Sequence, residues 1–302
     1  MKQDIINFLS NKKILIIGFG REGKSAFEFI KENVNYSELA VADKNNIQID
    51  NIKTYTGDNY LESTKDYDIV IKSPGIIIKD YISDKEKEKI TSLTDLFLRF
   101  CPNKIIGITG TKGKSTTSSL IYHILKENNY DTYLIGNIGI PCFDVIDLIK
   151  ENTILVYELS CHQLEFVKAS PDISVLLNLY EEHLDFFNSK EDYFLAKMNM
   201  FKFMNASDYG LYTSDSDILN SYVKNNNYNC NLFDISKEMS IRDGYVYIGD
   251  KKIYNTCDER SLLGKHNLVD IEFVLYLSEL LNLDLNKTIV SINEFKSLEH
   301  RL

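Results

Sequence analysis

Two passages of this chain set a glycine-rich loop between a strand-like apolar run and a helix-length run. That recurrence constrains the fold more than any other feature. In the first, KILIIG (13–18) leads into Gly18-Phe-Gly20-Arg-Glu-Gly23. In the second, KIIGITG (104–110) leads into Thr109-Gly110-Thr111-Lys112-Gly113-Lys114-Ser115-Thr116. A buried strand that feeds a helix through a tight turn is the repeating unit of a parallel sheet wrapped by right-handed crossovers.

The surrounding pattern supports the same reading. ELAVAD (38–43) and YDIVIKS (67–73) are strand-like, a helix is expected from about Gly23 to Lys31, and DKEKEK (84–89) reads as a solvated helix face. After a restart near residues 95–103, TYLIG, NTILVYEL, DISVLLNL and DYGLYT supply further strands up to residue 213. Residues 239–254 differ: short alternating runs separated by Asp-Gly and Gly-Asp predict a small β-meander. Helical periodicity returns at 267–282 and 286–296. The expected fold class is α/β, with a Rossmann-like N-terminal domain (1–98) followed by a P-loop-type α/β ATPase domain (99–302) that carries the meander.

Composition narrows the class of function. The 302 residues include 34 Lys+Arg and 44 Asp+Glu, a net charge of −10. That balance argues against a chain built to clamp nucleic acid, yet it permits an anionic small ligand held by backbone N–H groups. Five cysteines without a C-x-x-C spacing fit neither a disulfide framework nor a zinc ribbon and read as reduced thiols. No apolar run suits a signal peptide or a membrane span, so a cytoplasmic protein with no membrane contact is expected.

The first loop has the spacing of a dinucleotide turn, with Asp43 at the end of the next strand in place to meet a ribose hydroxyl. The ligand could be a nicotinamide dinucleotide or another diphosphate-bearing nucleotide, and the glycines could also serve only a tight turn. In the second loop, backbone N–H groups would wrap phosphate oxygens, Lys114 would add a charge, and the Ser115 hydroxyl could ligate Mg²⁺. The strict P-loop pattern would need glycine at Ile108. Glu158, His183 and Lys197 follow at the ends of later strands and on a helix. A carboxylate there can hold Mg²⁺, whereas a lone histidine is more often a surface or core residue. Lys197 sits at the edge of an apolar stripe formed by Phe194, Met198 and Phe201, and a lysine that covers the core with its stem is the simpler reading.

Taken together, T-G-T-K-G-K-S-T (109–116), G-N-I-G (136–139), E-L-S-C-H-Q-L-E (158–165), N-L-Y-E-E-H-L-D (178–185), A-K-M (196–198), L-G-K-H-N (263–267) and H-R-L (300–302) resemble the Mur ligases, as does S-P-G-I (73–76) in the first domain. Within that family the combination is most similar to the member joining D-glutamate to UDP-N-acetylmuramoyl-L-alanine at the expense of ATP. The resemblance implies that Gly18, Gly20, Asp43, Lys44, Ser73, Pro74 and Gly75 hold the UDP part, with Asn137 and Gln163 toward the muramoyl group. It implies that Gly110, Thr111, Lys112, Gly113, Lys114, Ser115 and Thr116 hold the ATP phosphates, Asn267 the adenine, and Arg301 the ATP. It also implies two Mg²⁺ ions, on Ser115 and Glu158 and on His183, the second supported by a carbamylated Lys197. Lys114, His183 and Lys197 would carry the chemistry.

Lys112, Cys161, His162, Glu182 and Asp270 depart from the family's usual residues. The chain stops where the family's third, C-terminal domain would begin, so a monomer able to bind but not complete ligation is expected. The L-alanine-adding relative, a non-catalytic nucleotide-binding module and a nicotinamide-dependent dehydrogenase stay open as alternatives.

Overall fold

The computed structural model describes residues 1–78, 83–180, 186–187 and 189–296. The chain divides into two compact units. The first comprises Met1–Pro102 together with Ile140–Ile149 and Cys161–Ala169, and the second holds the remainder. The break expected at 98/99 thus falls at Pro102/Asn103, and the first unit is discontinuous in sequence. Apolar side chains draw the two later stretches into it. Phe143 packs edge-on against Phe29 with ring centroids 4.8 Å apart, and Leu164 and Val167 are buried.

The first unit contains β1 (Lys13–Ile17), β2 (Glu38–Asp43), β3 (Lys53–Thr56), β4 (Ile69–Lys72) and β5 (Ile90–Thr91). They form one parallel sheet in the order β3-β2-β1-β4-β5. Strand order therefore reverses between β1 and β4, where open α/β sheets bind ligands beyond the strand ends. The register Ile17↔Ala42 and Ile17↔Lys72 brings three strand ends level. Leu15, Ile17, Ala40, Ala42 and Val70 make the core beneath them. β3 and β5 escape a hydropathy reading because one is polar and half-exposed and the other has two residues. The charged run at 84–89 yields a single helical turn, Asp84–Lys87, started by a Ser83–Glu86 capping box.

The second unit contains β6 (Ile105–Thr109), β7 (Thr132–Gly136), β8 (Ile154–Glu158), β9 (Ile173–Leu176), β10 (Tyr209–Tyr212) and β11 (Asn231–Asp234), all parallel. Their order is β11-β10-β9-β6-β8-β7, so the chain after β6 finds β8 on one side and β9 on the other. The helix Lys114–Glu127 buries Leu120, Ile121, Ile124 and Leu125 in a cluster shared with Ile271, Val274 and Ile292 of the helices Lys265–Leu280 and Leu285–Glu294.

The predicted meander is β12 (Met239–Arg242), β13 (Tyr245–Ile248) and β14 (Lys251–Asn255), an antiparallel sheet. Its first turn has left-handed Asp243 (φ 50°) and Gly244 (φ 77°), the geometry that matches a twisted hairpin. Among the described residues, no helix is long and apolar enough to cross a membrane.

Candidate functional site

Each unit carries a cavity at its strand reversal. The first, about 960 Å³, is lined by Gly18, Gly20, Asp43, Lys44, Ser73, Pro74 and Gly75, all seven of the first-domain residues expected there. The glycines have separate jobs. Gly18 has φ 85°, and a Cβ there would lie 2.8 Å from Ile76 and 2.9 Å from Ser73 Cβ. A Cβ on Gly23 would sit 1.9 Å from the Gly18 carbonyl oxygen, whereas Gly20 faces open space. The turn is therefore packed shut on its inner side and bare toward the cavity, as a closely approaching phosphate requires. Ser73 Oγ donates to Gly18 O at 2.7 Å and joins the two walls.

Asp43 braces the turn. Phe19 N–H donates to its Oδ2 at 2.7 Å, and the Asn45 backbone and side-chain N–H groups donate to its Oδ1 at 2.8 and 3.0 Å. Arg21, Asn45, Asp58 and Tyr60 line the same cavity and were not singled out in the sequence. Gln163 is buried and donates to Glu22 Oε1 at 2.7 Å, so it stands behind the wall of this cavity. Burial holds the Glu22 carboxyl above its usual range, against the opposing pull of Gln163 and of the Arg21 and Lys72 charges.

The second site is built where β6 ends. Gly113 (φ 85°) turns the chain into the helix Lys114–Glu127, whose first-turn N–H groups have no acceptor within the helix. Asn178, just past β9, clasps the loop: its Oδ1 accepts from Thr111 N at 3.0 Å and Lys112 N at 2.9 Å, and its Nδ2 donates to Lys112 O. Lys114 Nζ folds over the loop onto Gly110 O and Thr111 O, each at 2.9 Å. On the other flank, the pairing Ile108↔Glu158 puts a fully buried carboxylate level with the root of the loop. Glu158 accepts from Asn137 Nδ2 at 2.7 Å and from Ser118 Oγ at 3.4 Å. The Ser115 hydroxyl, 1% exposed, has no hydrogen-bond partner among the described residues. An orphaned hydroxyl in the helix's first turn, with a buried carboxylate on the adjoining strand, is a donor set that suits Mg²⁺.

Lys197 does not cover the core surface with its stem. It is 1% exposed, and its Nζ donates to Gly110 O at 2.7 Å beside the Tyr193 ring. The carbonyl of the phosphate loop is the polar partner that periodicity could not reveal. His183 and Arg301 lie outside the described residues. Thr116 is half-buried in the first turn of the helix. Asn267 donates to Leu263 O at 2.6 Å, while His266 and Asp270 of the same helix line the 290 Å³ cavity along with Lys112, Gly113 and Asn178. Asp270 is the unexpected member: a Cβ on Gly113 would lie 2.7 Å from its Oδ1. Burial pushes its carboxyl up to about 7, opposed by the Thr117 hydroxyl.

Comparison with known proteins decides the family. The Mur ligase middle domain matches residues 108–274, more than half of the chain, from the strand under the second loop to the helix bearing Asp270. The chain belongs to the Mur ligase family. This Mur ligase chain is 31% identical over 289 residues to the UDP-N-acetylmuramoylalanine–D-glutamate ligase of Clostridium acetobutylicum, covering 89% of the chain and 62% of that protein. It is 30% identical over 315 residues to the ligase of the same name from Clostridium kluyveri, covering 99% and 68%. The chain thus spans roughly three fifths to two thirds of the length of these relatives.

Among solved structures, the UDP-N-acetylmuramate:L-alanyl-γ-D-glutamyl-meso-diaminopimelate ligase of Neisseria meningitides matches with a TM-score of 0.62 at 14% identity, over 96% of this chain and 99% of that one. The UDP-N-acetylmuramate–alanine ligase of Thermotoga maritima matches with a TM-score of 0.51 at 19% identity, over 94% and 68%. Both likenesses show that the Mur ligase fold is shared.

Proposed function

We propose that the chain carries the UDP-substrate and ATP sites of a cytoplasmic ligase that joins D-glutamate to UDP-N-acetylmuramoyl-L-alanine. The observation that carries the reading is the second site: a clasped glycine loop, Lys114 folded over it, and the buried pair of Ser115 and Glu158 at its root. The relatives at about 30% identity favour D-glutamate as the acceptor over the L-alanine of the alternative.

In the proposed reaction the substrate carboxylate attacks the γ-phosphorus of ATP, ADP leaves, and the amine of D-glutamate displaces phosphate from the acyl phosphate. The first step brings two anions together, so the site must lower their repulsion and hold them in line. Lys114 would leave the Gly110 and Thr111 carbonyls for the β/γ oxygens, while the loop and helix N–H groups hold the phosphates. Ser115 and Glu158 would hold Mg²⁺, which supplies charge neutralisation at the phosphates. Asn137 keeps Glu158 Oε1 oriented.

Lys197 is proposed to lose one proton from its ammonium, add to CO₂ through the free amine, and release a second proton as the carbamate forms. The resulting carbamate N–H could still donate to Gly110 O, and its oxygens would be able to help hold a second Mg²⁺, for which the family resemblance implies His183 as a further ligand. A mass gain of about 44 Da on the intact chain under bicarbonate, read by native mass spectrometry and lost in Lys197→Ala, is the expected result. An unmodified lysine would remove this part of the proposal.

The main test is ligand-dependent melting of the 302-residue chain. UDP-N-acetylmuramoyl-L-alanine and ATP with Mg²⁺ should each raise the midpoint, and NADH should not. Stabilisation by NADH without any by the UDP compound would point to a dehydrogenase instead.

A further inference from the structure

The first cavity is walled by residues of the N-terminal sheet, but what stands behind those walls comes from far along the sequence. Gln163 donates to Glu22, next to Gly20 and Arg21 on one wall. Two residues on, Glu165 meets Lys72 Nζ at 3.0 Å, and that ammonium also donates to Pro74 O at 3.2 Å in the other wall. Lys72 is 3% exposed, ends β4, and lies over the Phe166 ring at 5.5 Å.

Stability does not explain this arrangement. Taking the Lys72 ammonium and part of the Glu165 carboxylate out of water is costly, and apolar replacements of similar volume are often neutral or stabilising in such pairs. What an apolar pair cannot do is hold a carbonyl. The turn is closed by Ile76 N–H to Ser73 O at 3.2 Å and is joined to the glycine loop by Ser73 Oγ. The Pro74 carbonyl is gripped from beneath by Lys72, and Glu165 fixes where that grip sits. Pro74 and Gly75 form the cavity face directly above it.

We propose that Lys72 and Glu165 are positioning residues for the first cavity: the ion pair of a buried ammonium and a half-buried carboxylate holds the Ser73–Gly75 turn at the height a nucleoside diphosphate needs, without touching the ligand. The occupant's identity as a UDP compound rests on the function proposed above; the grip on the turn does not.

The test is the double variant Lys72→Met/Glu165→Leu in the 302-residue chain, with UDP-N-acetylmuramoyl-L-alanine and ADP·Mg²⁺ as calorimetric probes and hydrogen exchange read at the Ser73 and Ile76 amides. The expected result is a melting point near that of the parent chain, ADP·Mg²⁺ affinity within about twofold, at least about tenfold weaker binding of the UDP compound, and faster exchange at both amides. A merely structural pair would move the melting point instead. Unchanged exchange with UDP affinity within about twofold overturns the proposal. If the double variant does not fold, Glu165→Gln keeps the volume and removes the charge, and about threefold weaker UDP binding is expected. If the parent chain binds no UDP compound, the reading of the cavity fails and the exchange measurement alone decides whether the pair holds the turn.

Discussion

The two glycine loops begin alike and end differently. Both leave a central strand of a parallel sheet at the point where strand order reverses, and both open a helix. The first opens its helix with Arg21 and fronts a cavity of about 960 Å³ that a Ser-Pro-Gly turn also lines. The second fronts about 290 Å³ and concentrates Lys112, Lys114, Ser115 and Glu158 around one bend. The first is shaped to recognise a bulky ligand through contacts and backbone donors, and the second to gather charge around a compact one. Substitutions that separate the two ligands are therefore the sharpest probes of the comparison.

The largest effect is expected from Lys114→Ala. It removes the ammonium that bonds both Gly110 O and Thr111 O, leaving Lys197 on Gly110 O, so ATP·Mg²⁺ affinity should fall by on the order of 100-fold while the UDP compound binds as before. Parallel losses for both ligands, measured by calorimetry, would break the division of labour. Gly18→Ala makes the converse cut. It combines a left-handed backbone with a 2.8 Å approach to Ile76, a cost of about 2–4 kcal/mol. UDP binding should be lost before ATP·Mg²⁺ binding, with a lowered melting point.

This much of the site was legible because phosphate loops need particular residues at particular spacings, and strand ends in a parallel sheet converge. The seven residues assigned to the first cavity all line it for that reason. What escaped has a common cause: contacts made by single residues without periodic signature. Lys197 finds a loop carbonyl 87 positions away, which no apolar stripe announces. Cys161–Leu164 is one helical turn, too short to show that residues 161–169 rejoin the first unit and stand behind its cavity. Asn267 has the motif position, yet the i, i+4 pair His266 and Asp270 faces the cavity; only the register of that helix against Gly113 could have said so.

Each cavity also has an acid in its wall whose carboxyl is raised by burial, and here the two diverge again. Glu22 has Gln163, Arg21 and Lys72 opposing its burial, whereas Asp270 has the Thr117 hydroxyl and is raised to about 7. With a folded value near 7 against an ordinary value of 3.8, the Asp270 contribution to stability is complete below about pH 4 and is lost as pH rises through 7. Asp270→Asn should leave stability at pH 4 nearly unchanged and raise it at pH 8 by on the order of 2–4 kcal/mol, measured by urea unfolding at both pH values. ATP·Mg²⁺ affinity at pH 8 should rise with it, since an anion leaves the wall of the phosphate cavity. Glu22→Gln should move stability in the same direction, because burial raises its carboxyl as well.

The smallest effect is expected at Lys112, and it sharpens the comparison by its salt dependence. Its side chain is exposed at the lip of the second cavity, while its backbone N–H is held by Asn178. Lys112→Asn therefore spares the loop's shape and removes only a screened surface charge. ATP·Mg²⁺ affinity should weaken by about threefold at low ionic strength, and the difference should fade toward 0.5 M salt, where the screening length drops to roughly 4 Å. A loss that persists at high salt would instead place Lys112 in direct contact with phosphate, making the second loop a two-lysine site and widening its contrast with the first.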